Sequence, residues 1–169
     1  MNSEAFPPSN RLVLDDPLTD GRQSEMALRI WRGTGRLLRS LNYACLAELS
    51  LASGRRADLI ALGPKGEVII VEVKSSVADF RADSKWPDYR QHCDRLYFAT
   101  HPDMPLEIFP QDAGLIVADG FGAEILREAP EHKLAAATRK AVSLRFARIA
   151  AGRLQDLGDP DGRSFFHGL

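Results

Sequence analysis

Asp58, Glu72 and Lys74 are the residues of this chain whose types and spacing suit chemistry on a phosphodiester. Residues 67–74 read Glu-Val-Ile-Ile-Val-Glu-Val-Lys as Glu67 leads into Val68 and the run ends at Lys74. That β-branched richness marks a buried strand. Strand neighbours alternate faces, so Glu72 and Lys74 point the same way. Charges in so apolar a strand are costly unless they are paired or bind a metal.

Asp58 lies in a second strand over residues 56–62, and Gly63-Pro64-Lys65-Gly66 is a strong turn signal between the two. A hairpin symmetric about Lys65 pairs residues whose numbers sum to 130, which sets Asp58 opposite Glu72 on one face. A slip of one residue would part them. Opposed carboxylates repel, and a divalent cation between them reverses that interaction. Mg²⁺ (or Mn²⁺) suits such a pair, because it takes one or two carboxylates and keeps room for water and substrate phosphate. The Val73 carbonyl is a further candidate ligand. The metal would polarise the phosphoryl oxygen and help generate the nucleophile. Lys74 would orient or deprotonate the attacking water, with its pKa lowered beside the cation, or neutralise charge building on the phosphate. The plainer alternative is a structural ion cluster.

The surrounding elements must hold this trio. Residues 23–41 have helical apolar spacing, with Gly33 and Gly35 expected to bend or split the helix. Residues 43–51 form a first strand. It carries Glu48, a candidate fourth member of the metal shell; a salt bridge to Arg56 is its alternative role. Glu25 in the first helix is a weaker rival. Residues 77–93 read as a helix that ends or kinks near Trp86 because of Pro87. Strands follow at 95–99, 113–118 and 123–127, then a long helix from residue 131 to about 151, with Leu134, Ala137, Ala141, Leu144, Phe146 and Ile149 among its apolar positions. The expected fold is a single α/β domain with a mixed β-sheet flanked by helices. The domain spans residues 23–153, between an N-terminal arm at 1–22 and a C-terminal tail at 154–169.

The bulk composition sets bounds. A chain of 169 residues suits one core. No apolar run approaches the ~20 residues of a membrane span, and the start MNSEAFPPSN lacks the pattern of a secretory signal. The expectation is a cytoplasmic protein without membrane contact. Cys45 and Cys93 read as two buried thiols. His92, His101, His132 and His167 show no zinc spacing, and no Gly-rich loop supports a nucleotide cofactor.

A longer string now carries a resemblance. Asp58, a hairpin and Glu72-Val73-Lys74, preceded by a helix and followed by a helix and a strand, resemble the PD-(D/E)XK nuclease superfamily, with Ala57 in place of the motif's proline. Ser53-Gly54-Arg55-Arg56-Ala57-Asp58-Leu59, Val71-Glu72-Val73-Lys74-Ser75-Ser76, Asp79-Phe80-Arg81-Ala82-Asp83 with Lys85-Trp86-Pro87, and Cys93-Asp94-Arg95-Leu96-Tyr97-Phe98-Ala99 resemble the MmcB-like DNA repair proteins. The resemblance runs from about residue 31 to residue 100. It implies a restriction-endonuclease-like fold and a role in DNA repair.

DNA is therefore the expected partner, with a homodimer or repair proteins as candidate assemblies. Arg55 and Arg56, beside Asp58, are the leading candidates for phosphate, with Ser75, Lys85 and Gln91 as further contacts. Arg29, Arg32, Arg36 and Arg39 form one helical stripe, and the last helix carries Lys133, Arg139, Lys140, Arg145, Arg148 and Arg153. Either surface could track phosphates, or be an ordinary solvated face. Trp86 could stack on an unpaired base, although a core role is the stronger reading. The leading function is a metal-dependent deoxyribonuclease. The alternatives are a catalytically silent DNA-binding subunit of a repair complex, and an interaction module whose buried charges pair with each other.

Overall fold

The computed structural model describes residues 24–159. Helix α1 (Glu25–Ser40) precedes three strands, β1 (Ala44–Ser50), β2 (Arg56–Leu62) and β3 (Val68–Val73). Helix α2 (Val77–Ala82) and a 3₁₀ helix (Trp86–His92) lead to β4 (Arg95–Thr100), and a short 3₁₀ turn (Leu106–Ile108) leads to β5 (Gly114–Ala118). The chain closes with β6 (Ala123–Arg127) and α3 (Ala136–Gly158). The strands form one sheet in sequence order. Strands β1, β2 and β3 pair antiparallel, β3, β4 and β5 parallel, and β5 and β6 antiparallel. This is the α/β domain with a mixed sheet and flanking helices that the element order predicts.

The sheet separates two main cores. Leu59, Val71, Val73 and Ile116 pack with Ile30 and Leu38 of α1 on one side. Ile60, Val68, Ile70 and Leu96 pack with Tyr89 and with Val142 and Phe146 of α3 on the other. A third cluster joins Phe80, Phe98, Phe109 and Trp86. Trp86 meets Phe98 edge-on at 5.4 Å, so this tryptophan is spent on the core.

Three expectations need correction. Helix α1 is continuous through Gly33 and Gly35. Gly33 is buried because α1 crosses the β5–β6 turn there: a Cβ would come within 2.7 Å of the Asp119 carbonyl oxygen and collide with that of Gly122. The last helix starts at Ala136, since Asp94 holds the preceding segment extended through bonds from His132 N (2.7 Å) and Leu134 N (3.0 Å). It then runs to Gly158, so residues 154–158, expected in the tail, are helical. Only Val142 and Phe146 of this helix are buried, and Leu144 and Ile149 face outward. The arm at 1–22 and the tail beyond residue 159 lie outside the described residues.

Both cysteines are free; Cys93 is buried and Cys45 half-buried. Among the described residues, no helix is long and apolar enough to cross a membrane.

Candidate functional site

Leu59 pairs with Val71 and Ile60 with Ile70, the register that puts Asp58 opposite Glu72. Beyond Leu59 the ladder gives way to side-chain bonds. Val73 N donates to Asp58 Oδ2 at 2.9 Å, and Asp58 N donates to Glu72 Oε1 at 3.4 Å. Each carboxylate thus sits over the backbone of the opposite strand. Glu72 is 3% exposed.

Burial raises the pKa of Asp58 most, against the Val73 hydrogen bond and the charge of Lys74. Glu72 is raised well above the usual glutamate value, first by burial and then by the Asp58 charge. Both carboxyls thus ionise less readily than free ones, although Lys74 favours each anion. Their oxygen donors fit a hard divalent cation. Among the described residues, however, no three His, Cys, Asp or Glu side chains group to hold a metal ion. Asp58 and Glu72 could supply two oxygen ligands, and a cation held by two carboxylates keeps water or phosphate in its remaining positions, the habit of Mg²⁺.

Lys74 lies just past β3, where Ala99 O accepts its N–H at 2.9 Å and Thr100 Oγ1 donates to its carbonyl at 2.8 Å. Its side chain is buried, and Nζ is 2.6 Å from Asp83 Oδ2. Desolvation pulls the ammonium down, but the bond and charge of Asp83 and the charge of Glu72 outweigh it, and the pKa stands above the ordinary lysine value. Asp83 thus favours the charged form of Lys74.

Glu48 departs from strand geometry with φ of +50°, and its rung across to Asp58 is missing from an otherwise continuous ladder. Its carboxylate meets Arg56 Nη2 at 3.4 Å, the salt bridge weighed as its alternative role. Its charge still contributes to raising Asp58, so it neighbours the pair without closing it into a three-carboxylate site. Val73 reaches the site through its N–H.

The candidate DNA contacts are dispersed. Arg56 is exposed beside Glu48, whereas Arg55 gives Nε and Nη2 to Asp88 Oδ2 at 3.1 and 2.9 Å. Ser75 accepts from Ser24 Oγ at 3.3 Å, which brings the start of α1 to the end of the Glu-x-Lys strand. Lys85 is exposed on the linker. Gln91 lines a separate cleft against α3. Arg36 of the α1 stripe is used by the β5–β6 turn, donating to Gly120 O at 2.6 Å and Phe121 O at 3.0 Å. Arg139 binds Asp94 through both terminal nitrogens at 2.7 Å, and Arg153 donates to the carbonyls of Ala47 and Glu48. These arginines fasten the fold.

Two residues belong to the site without having been singled out. Asp83 carries the ion pair to Lys74, and its Oδ1 accepts from Lys85 N at 3.0 Å. Tyr89 donates its hydroxyl to Arg56 O at 2.9 Å, and its phenol is raised by burial and then by the charges of Glu72 and Asp58. The acid four residues past Asp79 was a visible signal for Asp83; nothing in the sequence marks Tyr89.

A mixed six-stranded sheet with helices on both faces, and a half-buried and a buried carboxylate beside a lysine where its hairpin ends, defines the class. Residues 14–161 match the model of the family described as MmcB-like DNA repair proteins, and the chain belongs to that family. The fold is similar to the solved structure of a protein of unknown function from Silicibacter pomeroyi. That match has 45% identity and a TM-score of 0.81, and it covers 85% of this chain and 99% of the other. No curated protein matches the chain.

Proposed function

We propose that the protein is a metal-dependent deoxyribonuclease acting in DNA repair. The observation that carries this reading is the facing pair of carboxylates, half-buried Asp58 and buried Glu72, both destabilised as anions, which would suit a hard cation. Mg²⁺ or Mn²⁺ would supply Lewis acidity for a phosphoryl oxygen and its bound water. Asp58 and Glu72 would hold it. Lys74, kept charged by Asp83, would sit on the same side and neutralise charge building on the phosphate. DNA repair membership supports DNA as the substrate.

A second reading is a catalytically silent DNA-binding subunit. One observation favours it: Lys74 already spends its charge on Asp83. The test is nicking of labelled single-stranded, duplex and branched DNA with Mg²⁺ or Mn²⁺, comparing wild type with Asp58→Asn. Metal-dependent cutting by wild type alone supports the nuclease. Binding without cutting supports the silent subunit. Activity that survives both Glu72→Gln and Lys74→Ala overturns the mechanism.

A further inference from the structure

Lys74 is closed off where it stands. It is 5% exposed, Glu72 beside it is 3% exposed, and Asp83 sits against its ammonium at 2.6 Å. An ammonium meets a phosphate through its own N–H donors. A DNA phosphate can therefore use Lys74 only if Asp83 gives way.

The segment that carries Asp83 is lightly held. Helix α2 has no buried residue. Residues 81–85 read Arg-Ala-Asp-Ser-Lys, and all but Asp83 are exposed. Aromatic rings fix the two ends of this run. Phe80 packs on Phe98 at 5.6 Å and on Phe109 at 4.9 Å, and Trp86 on Phe98 at 5.4 Å. The bonds around its middle are local: Asp83 N donates to Phe80 O at 3.2 Å, and Lys85 N to Asp83 Oδ1 at 3.0 Å. Among the described residues, the bond from Lys74 is what ties that middle to the end of β3.

The charges on this run favour an exchange. Arg81 and Lys85 flank Asp83, so a DNA strand attracts the two ends of the run and repels its centre. A phosphate offers Lys74 the same charge-assisted bond that Asp83 gives. With no anion to replace Asp83, lifting the run would strand a buried charge on Lys74, which is costly. The closed form is thus the stable one until a phosphate arrives.

We infer that residues 81–85 form a strap that closes the carboxylate site in the free chain, and that a DNA phosphate opens it by taking Lys74 from Asp83. The inference rests on the reading that this site receives DNA, and not on its cutting DNA.

The test is equilibrium binding of a fluorescent oligothymidine in chelator, so that no cleavage intervenes. Asp83→Asn keeps the shape and removes the competing charge. It is expected to bind about tenfold tighter than wild type, the scale of one charged contact. In a Lys74→Met background the same change should alter affinity by less than about twofold, because the two residues act through each other. Glu107→Gln removes an equal charge from an exposed turn and sets the effect of net charge alone. Asp83→Asn that gains no more than Glu107→Gln, or gains as much with methionine at position 74, overturns the strap. Wild type supplies a measurement that needs no variant. Carbodiimide with glycine ethyl ester converts a closed Asp83 to an amide with Lys74 and an open Asp83 to the glycine adduct. Oligothymidine is expected to shift Asp83 from the crosslink to the adduct, read by peptide mass spectrometry. An unshifted ratio overturns the strap, as does a chain that binds no DNA with either residue at position 83. Tighter binding by Asp83→Asn in a protein that never nicks would sustain the strap while ending the nuclease reading.

Discussion

Lys74 Nζ lies 2.6 Å from Asp83 Oδ2, with the two side chains 6% and 19% exposed. The pair joins the end of β3 to the linker after α2, and Asp83 also receives the Lys85 N–H. Burial alone would raise the Asp83 carboxyl, but the bond and charge of Lys74, with that N–H, bring it below the usual range. Removing one partner leaves an unpaired buried charge, which costs about 3 kcal/mol. Asp83→Ala is therefore expected to lower the unfolding free energy by about 3 kcal/mol in urea denaturation, and the paired change Lys74→Met with Asp83→Leu to recover most of it. An Asp83→Ala protein as stable as wild type would show that the pair does not hold in solution.

The carboxylate pair has the opposite sign. Asp58 and Glu72 have raised pKa values, so the folded chain holds protons that the unfolded chain releases. Stability then falls as the pH rises from the ordinary carboxylate value through the raised ones. Neutralising one member removes that loss. In chelator near neutral pH, Asp58→Asn is expected to melt above wild type, by about 1 kcal/mol of stability. The asparagine oxygen can still accept from Val73 N. Adding Mn²⁺ should raise the melting temperature of wild type and leave the variant unmoved. A variant that melts below wild type in chelator, or gains as much from Mn²⁺, would contradict a repulsive, cation-seeking pair.

The parts of the site that sequence could reach are those governed by strand periodicity. The Gly63–Gly66 turn fixes the register of Ile60 on Ile70, and alternation then carries Asp58, Glu72 and Lys74 to one side. Asp83 escaped because its approach to Lys74 depends on where α2 ends, at Ala82, and helix ends are set by tertiary contacts as much as by propensity. Glu48 makes the Arg56 salt bridge that was its alternative role, and its positive φ breaks the alternation that would otherwise place its side chain. The last helix begins and ends later than its apolar spacing suggests. Its start is dictated by Asp94, 42 positions before Ala136 in number, and its exposed Leu144 and Ile149 blur the apolar stripe that should have marked its inner face.

Gly33 offers a test of how α1 is seated. A Cβ at this position meets backbone, not a yielding side chain: the Asp119 carbonyl oxygen at 2.7 Å and that of Gly122 closer still. Elsewhere in a helix, alanine is favoured over glycine by about 1 kcal/mol. Here the clash must push α1 away from the β5–β6 turn, where Arg36 also bonds to Gly120 and Phe121. Gly33→Ala is expected to lose about 2 kcal/mol, the scale of overpacking in a tight core. Gly35, with open space at its Cβ position, serves as the control, and Gly35→Ala should gain stability. Equal gains in both variants would mean that α1 sits farther from the turn than described.

Asp94 anchors the other helix and sets an acid limit on the fold. It is buried and accepts from Val68 N at 2.8 Å, Leu134 N at 3.0 Å and both terminal nitrogens of Arg139 at 2.7 Å. Burial pushes its carboxyl up, but the Arg139 bonds and the two backbone donors bring it below the usual aspartate value. A depressed carboxyl contributes stability that is fully present above the unfolded value of about 3.9 and is lost as pH falls through the folded one. Asp94→Asn keeps the shape and removes the charge that Arg139 pairs with, leaving Arg139 its bond to Gly66 O. At pH 7 it is expected to be about 3 kcal/mol less stable than wild type. That difference should shrink as both proteins are taken below pH 4, because wild-type Asp94 then protonates, while carboxylates common to the two cancel in the comparison. Urea midpoints at pH 7 and at pH 3 measure it. A difference that stays constant across that range would mean that Asp94 stabilises the start of α3 by shape and hydrogen bonds alone, without its charge.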